Sequence, residues 1–193
     1  MSVPEVLRRI TAALERAGIG YMLTGSFASA YFGVPRSTQD IDFVIEASAE
    51  HLRTFVQNLS DKEYYADLNT ALEAHRRESL FNVIDRATGW KIDLIFRKSR
   101  AFSREEFRRR QEVDLQGLRL YVASAEDVIV AKLEWAKLAK SDRQIEDVAA
   151  ILKLRWESLD KIYLGKWMAE LGLSEQGRLA ARAAGLTGTA FGP

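Results

Sequence analysis

Apolar residues recur along the chain in two rhythms, helical and alternating, and together they predict the elements. Val6, Leu7, Ile10, Ala13, Leu14 and Ala17 keep helical spacing. Ser2, Val3, Pro4 and Glu5 read as a capping box with proline at the first helical position, and Gly18 and Gly20 end the helix. Residues 21–24, YMLT, predict a short strand; Gly25 and Ser26 then turn the chain into a helix of about two turns, Phe27 to Phe32. Residues 33–39 are a loop, because Pro35 pushes Val34 out of helical geometry. A strand follows at 40–45, rich in β-branched and aromatic residues.

Ser48 caps a helix to about Leu59, residues 60–68 read as irregular, and 69–77 as a helix with Asn69 at its cap. Strands at 80–84 and 90–96 pair antiparallel across a turn at 86–89. A short basic helix spans 103–110, and a hairpin, 112–115 with 118–122, turns at Gln116-Gly117. Ser124 with Asp127 caps a helix from Ala125 to Ala139, and Asp142 caps another from Arg143 to about Leu154. Ser158 begins a helix to about Leu171, with Leu159, Ile162, Tyr163 and Trp167 on one side. The last twenty residues are small and polar, and Ala183 to Pro193 reads as a loose tail. The expected organisation is an α/β core, residues 1–122, followed by a C-terminal helical region, 123–193, with no internal repeat.

Composition narrows the chemistry. With no cysteine, disulfides, zinc–thiolate sites and thiol catalysis are excluded. His51 and His75 show no metal-ligand spacing. A formal net charge of +1 argues against strong nonspecific nucleic-acid binding, so any basic surface, such as Arg76-Arg77 or Arg108-Arg109-Arg110, is local. No apolar run reaches the length of a bilayer span and the N-terminus lacks a signal-peptide core, so the expectation is a cytoplasmic protein without a membrane partner.

Four places carry candidate chemistry. Asp40 and Asp42 fall on one face of their strand, since successive side chains alternate. Two neighbouring carboxylates repel, and the pair calls for a cation, a proton or strong donors; Mg²⁺ suits it, being hard and oxygen-seeking. The plainer reading is a pair of strand-edge aspartates held by Arg36 or by exposed lysines. Asp93 lies within the apolar strand KIDLIF, where a charge needs a partner or a task; a neighbouring arginine would satisfy it structurally. If that strand lies beside 40–45, three carboxylates converge, as two-metal phosphoryl transfer requires. Gly25-Ser26, between strand and helix, is either a simple turn or an anion site of helix-start N–H groups. Lys132 falls within the apolar arc of its helix, so it snorkels, pairs or faces a ligand.

Together these residues form a pattern. Gly25-Ser26, thirteen residues, Asp40-Ile41-Asp42, then Asp93 within KIDLIF, resembles the nucleotidyltransferase superfamily of DNA polymerase β-like fold. Arg36-x-Thr38-x-Asp40-Ile41-Asp42, then Ser124-x-Glu126-Asp127-x-Ile129-x-x-Lys132-Leu133, then Arg143 and Asp147, is similar to the small AbiEii-type nucleotidyltransferase toxins of abortive-infection and toxin–antitoxin systems. The resemblance covers roughly residues 20–155. It implies an α+β fold: a short mixed sheet flanked by helices, with a C-terminal helical segment packed on that core. It also implies a Mg²⁺-dependent enzyme, with two ions, moving an NMP from an NTP to a hydroxyl on RNA, protein or a small molecule. Asp40, Asp42 and Asp93 would be the catalytic, metal-binding carboxylates, and Gly25, Ser26 and Lys132 the nucleotide contacts. A cognate antitoxin would be its partner. The alternative is a non-catalytic nucleotide-binding or antitoxin-like protein on the same fold, which an exposed apolar stripe including Trp167 would favour. A metal-dependent phosphohydrolase is a third reading, and it would not need the Gly-Ser turn.

Overall fold

The computed structural model describes residues 3–186. By contact density these fall into two compact units: the N-terminal stretch through Thr24 with Thr38–Ala123, and Gly25–Ser37 with Ser124 onward. The segment 25–37 therefore groups with the helical region, whereas the sequence reading kept it inside a continuous 1–122 core.

The first unit holds a seven-stranded mixed sheet: β1 (Gly20–Leu23), β2 (Asp40–Glu46), β3 (Tyr64–Tyr65), β4 (Leu80–Asp85), β5 (Lys91–Phe96), β6 (Gln111–Leu115) and β7 (Leu118–Val122). Their order across the sheet is β3-β4-β5-β2-β1-β7-β6. The β2–β5 and β1–β7 pairs are parallel and the others antiparallel. The flanking helices of this unit are α1 (Val3–Arg16), α3 (Ala49–Asn58), α4 (Leu68–Arg76) and α5 (Ala101–Arg108).

Strict alternation builds the core. Ile41, Phe43 and Ile45 of β2 stand opposite Ile92, Leu94 and Phe96 of β5, and all six are buried. Phe81 and Val83 of β4 extend this layer. Helices close over it: Tyr21 of β1 donates to Glu15 of α1 at 2.8 Å, and His75 of α4 meets the Phe96 ring edge-on. Asp85, fully buried at the end of β4, is neutralised by an ion pair with Arg9 of α1 and accepts from the N–H groups of Ala87 and Thr88 in the turn before β5. The β6–β7 hairpin turns where both Gln116 and Gly117 take positive φ, 55° and 80°, the geometry whose twist matches paired strands.

Two expectations shift in this unit. The stretch 60–68 contains β3, a two-residue edge strand paired to β4, too short to show a period. Helix α4 is capped by Asp67, not Asn69: the Asp67 carboxylate accepts from the Thr70 N–H at 2.7 Å. Ser2 of the first capping box lies outside the described residues.

The second unit is helical: α2 (Gly25–Phe32), α6 (Ala125–Ala139), α7 (Asp142–Arg155), a 3-10 turn at Trp156–Ser158, α8 (Lys161–Leu171) and α9 (Ser174–Ala183). Ser124 caps α6 by accepting from the Asp127 N–H at 3.2 Å, as its spacing predicts. Asp142 is the first residue of α7 rather than its cap. Helix α8 starts at Lys161, because Asp160 supplies the capping oxygen to the Tyr163 N–H and Ser158 belongs to the 3-10 turn. Its buried residues are Leu164, Trp167 and Met168, while Ile162 is 87% exposed, so Ile162 is not on the packed side. Helix α9 occupies a stretch read only as small and polar. Its buried positions are Gly177, Ala180 and Ala181, which let helices approach closely without a strong apolar signal. Of the tail expected at 183–193, residues 187–193 lie outside the described residues. No described helix is long and apolar enough to cross a membrane.

Candidate functional site

The six residues singled out from the sequence divide between two clusters of polar and charged side chains, Asp40, Asp42 and Asp93 in the first unit and Gly25, Ser26 and Lys132 in the second. On the sheet, the parallel register sets Asp40 beside Lys91 and Asp42 beside Asp93. Alternation then places Asp40, Asp42, Lys91 and Asp93 on one face, opposite the apolar layer. The antiparallel register of β4 adds Asn82 next to Asp93. Strands beyond hairpin distance thus bring Asp93, distant in sequence, to the Asp40–Asp42 pair, because Ile41, Phe43 and Ile45 bury against Ile92, Leu94 and Phe96 in this register; a one-residue slip would send the carboxylates into the core.

The contacts on this face are specific. The Lys91 ammonium lies 3.1 Å from Asp40 Oδ1 and 3.2 Å from Asp93 Oδ2, bridging the two strands. Asn82 Nδ2 donates to Asp93 Oδ1 at 2.5 Å. The Asp40 side chain is 50% exposed and that of Asp93 13%. Thr38 holds the start of β2: its hydroxyl accepts from the Asp40 N–H and donates to the Asp40 carbonyl, both at 3.3 Å. The Asp40 carboxylate first, and Asp93 with it, hold the Lys91 ammonium above its ordinary lysine value against the opposing effect of burial.

The donor set is all carboxylate oxygen and partly open to water, which suits a hard divalent cation. With the side chains as placed, however, no three acidic or histidine groups among the described residues are spaced to hold a metal. The positive charge beside Asp40 and Asp93 is that of Lys91.

The second cluster centres on Asp147 of α7. Arg36 grips it with a fork: Nε lies 2.9 Å from Oδ1 and Nη2 2.9 Å from Oδ2. Lys132 of α6 donates to Asp147 Oδ2 at 2.7 Å and to Gln144 Oε1 at 2.9 Å. Arg36 Nη2 also donates to Ser26 Oγ at 2.7 Å, which ties the start of α2 into the network. Gly25, the first residue of α2, has a φ of 61°, a left-handed conformation that explains glycine there. Burial pushes the Asp147 carboxyl up, but the hydrogen bonds and charges of Arg36 and Lys132 outweigh it and hold the group below the ordinary carboxylate value.

Of the alternatives open for Lys132, the structure has it paired. Arg36, considered from sequence as a holder of the strand aspartates, forms its fork with Asp147. Sequence reasoning missed Lys91, Asn82 and Gln144 as cluster members. For Lys91 a signal existed, since KID places it on the same strand face as Asp93. Asn82 and Gln144 carry no such signal, because β4 register and α6–α7 packing decide their neighbours.

The family described as "Nucleotidyltransferase of unknown function (DUF6036)" matches residues 5–179, and the chain belongs to it. No curated protein matches the sequence. Among solved structures, the fold is similar to an antigenic nucleotidyltransferase-like protein from Paracoccidioides brasiliensis, with a TM-score of 0.56 at 14% identity over 97% of this chain and 95% of that one. Likeness to a candidate nucleotidyltransferase from Thermotoga maritima is weaker, at TM-score 0.49 and 21% identity over 74% of this chain and 92% of that one. A candidate nucleotidyltransferase from H. pylori gives TM-score 0.49 and 16% identity over 93% and 78%.

Proposed function

We propose that this member of the nucleotidyltransferase family is an active, Mg²⁺-dependent enzyme that moves an NMP from an NTP to a hydroxyl acceptor. The observation that carries the reading is the β2–β5 register, which sets Asp42 directly beside Asp93 with Asp40 on the same, partly exposed face. Three carboxylates so placed offer the hard oxygen donors that a divalent cation such as Mg²⁺ takes.

Asp40 and Asp42 would hold the ions, and Asp93 would share one of them. When bound, Mg²⁺ would neutralise charge on the phosphates and on the departing pyrophosphate. Asp93, oriented by Asn82, would accept the proton of the acceptor hydroxyl. The hydroxyl oxygen bonds to the α-phosphorus while the α–β anhydride bond breaks, so the products are the NMP ester and pyrophosphate. Gly25, Ser26 and Lys132 are the proposed nucleotide contacts of the helical unit, with Arg36 and Asp147 positioning Ser26 and Lys132. The finer assignment, an AbiEii-type toxin with an RNA or protein acceptor and a cognate antitoxin, is supported by Arg36, Lys132 and Asp147 sharing one hydrogen-bonded network. The rival non-catalytic reading called for an exposed stripe at Trp167, but Trp167 is only 4% exposed.

The test incubates the protein with each labelled NTP, Mg²⁺ and cell extract. Wild type should label an acceptor at least about a hundredfold faster than Asp42→Ala, the scale of losing one electrostatic stabiliser. Equal labelling by the two proteins would refute the reading.

A further inference from the structure

We propose, resting on the metal-dependent reading above, that Lys91 is a built-in counter-cation of the carboxylate face and competes with the divalent ion for it. Lys91 precedes Asp93 by two residues on β5, so alternation puts both on one face, and the parallel register puts Lys91 beside Asp40. Its ammonium is within 3.2 Å of one oxygen on each of two proposed metal ligands. An ion drawn to those same oxygens would face a positive charge at contact distance, and the two cations cannot share them without strong repulsion.

The lysine can leave. Its side chain is 43% exposed, and four flexible methylenes let the ammonium reach water while the backbone stays in the sheet. Asp93 keeps its orientation when that happens, because Asn82 holds its Oδ1 from the neighbouring strand. Lys91 therefore offsets carboxylate repulsion in the ion-free chain and weakens the affinity of the face for a lone ion. It is a positioning residue acting through Asp40 and Asp93.

Calorimetric titration with MnCl₂ and with MgCl₂ alone, paired with thermal unfolding with and without each salt, tests this on the full chain. Lys91→Met should bind Mn²⁺ about tenfold more tightly than wild type, roughly 1.4 kcal/mol, as expected from removing two partly exposed ion pairs from the competition. It should also unfold at a lower temperature than wild type without metal and recover the difference when metal is added. Lys91→Arg, which keeps the charge, should bind within about threefold of wild type. Lys91→Gln supplies a second neutral side chain should Lys91→Met not fold. If wild type binds Mn²⁺ and the neutral variants bind equally or less tightly, the competition is refuted while the metal reading stands. If no variant shows heat of binding or a thermal shift, both fall.

Discussion

The two compact units each set carboxylates among cations, but with different exposure to water. In the helical unit one buried carboxylate, Asp147, is held by a forked arginine and a lysine. On the sheet, Asp40, Asp42 and Asp93 share a face on which Lys91 bridges two of them. The first arrangement has its carboxylate and its lysine largely buried, with Arg36 reaching water in part, so its main work is to fix the geometry of Arg36, Lys132 and Ser26. In the second, Asp40 is half-exposed and Lys91 43% exposed, so water reaches the ion pair that joins the two strands.

That contrast can be broken by stability measurements. The largest effect should come from Asp147→Ala, which strands two cations in a largely buried place; a loss of about 3–5 kcal/mol in urea denaturation is expected. A loss below about 1 kcal/mol would mean that the network is not the anchor of the helical unit. The same carboxylate should shape the acid limb. Its folded pKa is depressed below the unfolded value of 3.8, so its contribution is complete above that pH and disappears as pH falls through the folded value. Acid titration of stability should therefore be shallower for Asp147→Asn than for wild type in that window; parallel curves would refute the assignment. The smallest effect belongs to the sheet. Asp40→Asn, at a half-exposed position, should change stability by about 1 kcal/mol or less in either direction. A larger loss would show that Asp40 is structural, which would narrow the contrast between the two clusters.

Much of the first unit was legible because alternation and capping are local. The strand at 40–45, the pairing of 80–84 with 90–96 across a short turn and the Gln116-Gly117 turn rest on patterns within a few residues, and each is where its pattern puts it; in the second unit the Ser124 cap is too. The failures have physical reasons. Helix α9 packs through Gly177, Ala180 and Ala181, whose small side chains give little apolar signal. Ile162 fits a helical period, yet Leu164 and Met168 face inward instead, because the cap at Asp160 and the packing of α8 set which side is buried. On the candidate site, the aspartates stood out as charges in apolar strands, whereas Asn82 and Gln144 looked like ordinary polar residues until register and helix packing gave them partners.

By itself the sequence determined which residues share a strand face, that Ser124 caps its helix, and that Asp40 and Asp42 point the same way, since strand alternation and capping are local properties of the backbone. Only tertiary structure decided that Asp93 lies beside Asp42, that Lys91 bridges Asp40 and Asp93, and that Arg36 grips Asp147. Those pairings follow from which apolar surfaces bury against one another at long range. A charged side chain takes the neighbours that this burial leaves beside it.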